Sequence, residues 1–228
     1  MRKYRGYLAI TTLFFSGLVS ANASTILLAS YGTTAANPGV GNTATTYSPF
    51  TSTVNNGSDA TYNISPGTTW HAPVAGSSYV SFSPGTGPTG NFATPNGDYM
   101  YKTTFNVSAA DAGATKVGTL TVLADDTVSV FLNGVMILQS ADPMGASNSY
   151  SLCSDSGPNC RTPLTFSFYG IAEGLNELTF DVKQVNGLNE GLDYYGSVST
   201  VPEPASLALF GTGLLGIVGF SRRLLASR

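Results

Sequence analysis

The residues that could do chemistry are few. The one histidine, His71, follows the one tryptophan, Trp70, so any Ser-His-Asp or Cys-His site would have to be built around it. No Gly-x-Ser-x-Gly elbow, His-Glu-x-x-His pair or phosphate loop occurs in the chain. Beside an indole, His71 suits packing better than proton transfer. Glycoside hydrolysis needs only two carboxyl groups. Asp125 and Asp126 are adjacent at the mouth of a strand, where neighbours point apart, so they suit capping a turn or holding a cation better than sharing a substrate. Glu173, Glu177 and Glu190 are not paired by spacing. The chain therefore reads as a non-enzyme with no catalytic residue, no metal site and no cofactor assigned. Binding is better supplied. Sugar sites use aromatic platforms flanked by polar groups, and Trp70, Tyr194 and Tyr195, with Asp193 as polar partner, are residues of that kind. Trp70 has an alternative use in filling the core between two sheets. Tyr194 and Tyr195, as neighbours on one strand, face opposite ways, so only one can be buried.

Both ends of the chain carry residues that processing enzymes read. Residues 1–7 hold Arg2, Lys3 and Arg5, residues 8–19 are mostly apolar, and Ala21-Asn22-Ala23 offers small residues at Ala21 and Ala23. This is the order of a secretory signal peptide over residues 1–23, cleaved by signal peptidase after Ala23. At the other end, 201–228 has three parts: the rigid Val201-Pro202-Glu203-Pro204, an uncharged apolar run over 205–220, and a basic end with Arg222, Arg223 and Arg228. The prolines keep 201–204 extended. The run spans about 24 Å as a helix, short of the roughly 30 Å hydrocarbon core, so it crosses only with thinning or snorkelling arginines. Arginines after it place the tail in the cytoplasm and everything before Val201 outside. The last 28 residues resemble the PEP-CTERM sorting tail of Gram-negative bacteria. That resemblance implies recognition of Pro202-Glu203-Pro204 by an exosortase, a transient membrane anchor through 205–220, and delivery to the cell surface or the exopolysaccharide layer.

Removing both ends changes the meaning of the charge. Between residues 24 and 200 only Lys102, Lys116, Arg161 and Lys183 remain against twelve acids, so this body stands at −8 while the whole chain is at −3. Such a surface repels nucleic acid and anionic membrane and suits an exported protein kept soluble by self-repulsion, with room for a structural calcium ion at an acidic loop. The only cysteines, Cys153 and Cys160, lie in a polar loop and in an oxidising compartment read as a disulfide, worth on the order of 2.5 kcal/mol for so short a loop. A two-cysteine metal site would lack ligands in a chain with one histidine.

The elements that must position these residues are strands. The body is poor in charge, rich in Gly, Thr, Ser, Tyr and Phe, and long enough for one core. Residues 24–63 read as a short strand near 26–28 followed by loops, and 83–97, with three prolines and four glycines, as a long loop. Strands are expected at 79–82, at 98–107 with Tyr99, Tyr101, Thr103, Phe105 and Val107 inward, and at 116–124, with further ones at 164–169, 178–185 and 192–198. Residues 127–132 and 135–139 form a hairpin about Asn133-Gly134, and Glu173 to Asn176 form a turn. The fold class is all-β, a single jelly-roll or β-sandwich domain of about eight strands over 24–200.

A second resemblance covers roughly residues 70–198. Tyr101-Lys102-Thr103-Thr104-Phe105, then 124–134 (ADDTVSVFLNG), then 173–182 (EGLNELTFDV) are similar to the galactose-binding-like jelly roll found in glycoside hydrolases and in PEP-CTERM proteins. The resemblance implies carbohydrate binding, with exopolysaccharide as partner. The alternative is a structural or adhesive surface protein with no small ligand, and a hydrolase is the least supported reading.

Overall fold

The computed structural model describes residues 23–31, 39–111, 113–144, 153–185, 187–201, 211 and 213. The chain divides into two compact units, Ala23–Pro202 and a second made of Met1–Asn22 with Glu203–Arg228. Of the second unit only Gly211 and Gly213 are described, both helical. Among the described residues no helix is long and apolar enough to cross a membrane.

Ala23–Pro202 is an all-β sandwich of the jelly-roll type, as expected. Its described strands are β1 (Ser24–Ala29), β2 (Gly41–Asn42), β3 (Thr46–Tyr47), β4 (Thr61–Asn63), β5 (Val80–Ser81), β6 (Gly97–Val107), β7 (Thr115–Asp125), β8 (Thr127–Leu132), β9 (Val135–Leu138), β10 (Leu164–Phe168), β11 (Gly174–Gln184) and β12 (Gly191–Val201). Twelve strands are described where about eight were expected: β2, β3 and β4 fall in the stretch read as loop, and β5 covers two of the four residues expected at 79–82. One sheet runs β10-β7-β12-β5-β4-β2, with β1 also on β12; the other runs β3-β6-β11-β8-β9.

The alternation that identifies the strands also builds the core. Tyr99, Tyr101, Phe105 and Val107 of β6 are buried against Leu120 and Val122 of β7, Leu178, Phe180 and Val182 of β11, and Leu192, Tyr194 and Val198 of β12. Each large apolar side chain contributes about 1.5–3 kcal/mol by burial. The β8–β9 hairpin turns at Asn133 (φ 50°) and Gly134 (φ 81°), the positive-φ pair the dipeptide predicts.

One expected turn ends earlier than its sequence suggests. Strand β11 begins at Gly174, and Asn176 already pairs with Phe105 of β6. The Asn176 side chain is buried and makes the turn's hydrogen bonds itself, accepting from Ala172 N (2.9 Å) and donating to Ala172 O (2.9 Å) and Gly174 O (3.0 Å). Asparagine thus serves strand and turn at once.

A second apolar cluster lies on the opposite side of the seven-stranded sheet. Leu120, Val122 and Ala124 face the main core, so Leu123 faces away, and it is buried with Ile64, Trp70, Tyr79, Cys153 and Cys160. The loops about Trp70 and the disulfide therefore form a lid on the sheet's outer face.

Candidate functional site

The structure separates the residues singled out for sugar binding. Trp70 is 5% exposed, neither in the core between the sheets nor open to solvent, with its ring centroid 4.9 Å from that of Tyr79 beneath the outer lid. Asp193 is also buried on that side, with Oδ1 accepting from Ser30 Oγ (2.9 Å) and Oδ2 from Val74 N (2.6 Å). Tyr194 points the other way, into the main core, stacked on Phe180 at 4.3 Å with its hydroxyl 2.8 Å from Thr45 Oγ1. Tyr195 is half-buried, and a Cβ on Gly76 would come within 2.7 Å of its ring. Of the two adjacent tyrosines, then, Tyr194 is the buried one. Together these four make no open platform, because the lid that no local pattern announces covers the outer face. His71 is exposed, with Nδ1 2.6 Å from Ala72 O.

Cys153 and Cys160 form a disulfide, their Cα atoms 5.8 Å apart. Its loop is fastened to the start of β8, where Thr127 Oγ1 donates to Pro158 O (2.8 Å), and to the Trp70 loop, where His71 N donates to Cys160 O (2.7 Å). Ala23 is exposed and Val201 ends β12 exposed, while Ala21, Pro202, Glu203, Pro204, Arg222 and Arg223, with most of the 205–220 anchor, lie outside the described residues.

The acids give the main departure from expectation. Asp125 and Asp126 do not stand at an open strand mouth; both are buried, as are Glu190 and Asp193. Strand β7 ends at Asp125 and β8 begins at Thr127, so a bend intervenes and strand alternation does not govern the pair. Burial, with Asp126 and Glu190 nearby, pushes the Asp125 carboxyl well above its ordinary range. Its Oδ1 and the Trp70 Nε1 both lack a partner within hydrogen-bond geometry, although the indole lies near enough to favour the charged carboxylate. Asp126 Oδ2 accepts from Val185 N (2.6 Å). Burial raises Glu190 to about 8 against the pull of Ser81 and Tyr101, whose hydroxyls donate to its carboxyl, Tyr101 at 2.8 and 2.9 Å. Burial likewise raises Asp193 to about 6. The atoms of Asp125, Cys153 and Cys160 lie within 4.8 Å of one another, but the two sulfurs are bonded to each other and ligate nothing. The salt bridges of Lys102 and Lys183 go elsewhere, to Glu177 and to Asp98 and Asp181.

An open concavity lies in the loop between β5 and β6. It encloses about 560 Å³ and is lined by Ser83, Gly85, Thr89, Asn91 and Phe92 among others. The loop is folded on itself by Phe92 N to Gly85 O (2.9 Å) and Gly90 N to Gly87 O (2.8 Å), and is tied to the segment before β12 by Glu190 N to Thr86 O (3.1 Å). In the sequence, 83–97 is a Gly- and Pro-rich loop whose one aromatic, Phe92, is the local sign of a site.

Residues 200–223 match the PEP-CTERM protein-sorting motif. That motif marks an exported protein targeted to the cell surface. No curated protein matches the chain. Among solved structures, the native family 35 carbohydrate binding module from Clostridium thermocellum is 11% identical, with 76% of this chain and 97% of that one covered at a TM-score of 0.34. The CBM35 from Paenibacillus barcinonensis is 14% identical, covering 70% and 98% at 0.32. The apo β-glucuronidase from Ruminococcus gnavus is 15% identical over 47% of this chain and 20% of that one, at 0.28. Likenesses this distant say nothing about a ligand.

Proposed function

We propose that this chain is a bacterial surface protein cut by signal peptidase after Ala23, held in the inner membrane through 205–220, and released by an exosortase acting at Pro202-Glu203-Pro204. Its β-sandwich then holds extracellular polysaccharide without hydrolysing it. The observation that supports the sorting half is the motif match over 200–223, whose Pro-Glu-Pro directly follows the exposed end of β12. In sequence terms, prolines on either side of Glu203 favour an extended segment, the form a processing enzyme reads.

Fractionation of cells expressing the chain tests this. Replacing Pro202, Glu203 and Pro204 by alanine should leave a longer form in the inner-membrane fraction and deplete the surface fraction. Unaltered surface delivery of the triple variant would sink the exosortase reading.

The burial of Trp70 and Tyr194 favours a second reading, a structural or adhesive protein with no sugar ligand. The two readings separate on whether any glycan binds at all.

A further inference from the structure

We infer that the saccharide site of this protein is the cleft in the β5–β6 loop, with Phe92 as its stacking surface, and that its ligand is an uncharged sugar rather than a uronate. The inference rests on the polysaccharide-binding reading and gives that reading a place and a ligand class.

Phe92 is 40% exposed, yet its ring is held in place from below. Phe82 meets it edge-on, with centroids 5.7 Å apart and planes at 84°, and Phe82 is itself stacked on Tyr99 at 5.4 Å and on Tyr47 at 5.1 Å. An aromatic column thus rises from the core between the sheets and ends at the cleft. A ring fixed by packing before a ligand arrives has little freedom left to lose on binding.

The floor beside it is bare backbone. A Cβ on Gly90 would lie 2.0 Å from Gly85 O, so Gly90 cannot carry a side chain without moving that peptide, whereas one on Gly85 would first meet Asn91 Oδ1 at 3.3 Å and Phe92 Cβ at 3.4 Å. Close backbone beside a half-exposed aromatic ring leaves space for a ligand, and a volume near 560 Å³ falls within the roughly 300–1,000 Å³ usual for small-ligand sites. The polar groups around it are hydroxyls and an amide, from Ser83, Thr89 and Asn91, which can donate to and accept from sugar hydroxyls.

Charge selects the ligand. No lining residue is ionisable, and the body carries four basic residues against twelve acids. A uronate would bring its carboxylate to a site with no countercharge, on a surface that repels it. An uncharged hexose or pentose meets no such penalty.

The test uses the full chain in detergent against two immobilised panels: uncharged gluco-, galacto-, manno- and xylo-oligosaccharides, and oligogalacturonates and oligoglucuronates. Saturable binding to a member of the first panel is expected, weakened about tenfold or more in Phe92→Ala and retained in Phe92→Tyr, with melting temperatures checked for each. Thr89→Lys, which adds a cation at the rim, should gain uronate binding. Uncharged-sugar binding that is unchanged in a folded Phe92→Ala protein overturns the cleft assignment. A wild-type preference for uronates overturns the ligand class. Binding to neither panel overturns the polysaccharide reading itself, a failure distinct from the other two.

Discussion

The burial of Glu190 makes a quantitative prediction about pH. Its carboxyl is wholly enclosed, touched by the Ser81 and Tyr101 hydroxyls, and raised from 4.5 to about 8. The folded protein therefore keeps a proton that the unfolded chain releases above about pH 4.5. Stability from this group is full below that value, declines as pH rises, and is lost once pH passes about 8. At about 1.4 kcal/mol per unit, the shift corresponds to a loss of about 5 kcal/mol across the window, a large part of a typical folding free energy. Glu190→Gln keeps the shape and a hydrogen-bonding head but cannot ionise. Urea unfolding of residues 23–202, followed by the fluorescence of the sole tryptophan, buried Trp70, should show similar midpoints for the two proteins at pH 5. At pH 9 the glutamine variant should be the more stable by several kcal/mol. Asp193 and the Asp125–Asp126 pair are also raised and act with the same sign, but they are present in both proteins and largely cancel in the comparison. Wild-type stability that climbs from pH 5 to pH 8, or a glutamine variant that tracks wild type throughout, would refute the reasoning.

Two further outcomes follow from packing. Replacing Cys153 and Cys160 together by alanine removes a short cross-link and should cost about 2–3 kcal/mol in urea unfolding, with added reductant changing only the wild type. Tyr194→Ala empties a site in the main core and should cost about 3–5 kcal/mol, whereas Tyr195→Ala, on the half-buried side of the same strand, should cost less than about 2; equal losses in thermal melts would contradict the assigned faces.

The long strands were legible because alternation runs far enough to register. β6 places Tyr99, Tyr101, Phe105 and Val107 on one face over eleven residues, and Asn133-Gly134 names its own turn. β2, β3 and β4 were not legible, since two or three residues hold too little of a period-two pattern to stand out in a Thr- and Asn-rich stretch. The site was harder still. Trp70 and Asp193 look like surface binding residues until the loops carrying Val74, Cys153 and Cys160 close over the sheet's outer face, an event between segments far apart in sequence. Carboxylates are surface residues by default, so the burial of Asp125, Glu190 and Asp193 had no local sign beyond apolar neighbours such as Leu192 and Tyr194.

Those buried acids also revise the electrostatic argument. The formal −8 of the body counts every carboxyl as ionised, yet Glu190 at about 8 holds its proton at neutral pH, and Asp125 is pushed the same way. The working charge at pH 7 is therefore less negative than the sequence total, though still far enough from zero to repel polyanions. The same group bears on the cleft. Glu190 N donates to Thr86 O within the β5–β6 loop, and its carboxyl holds Ser81, the last residue of β5. An ionised Glu190 would place a buried charge with no countercharge beside residues that anchor that loop, and the cheapest relief for a buried charge is local opening toward water. Neutrality of that one carboxyl thus supports both the fold and the shape of the surface assigned to sugar.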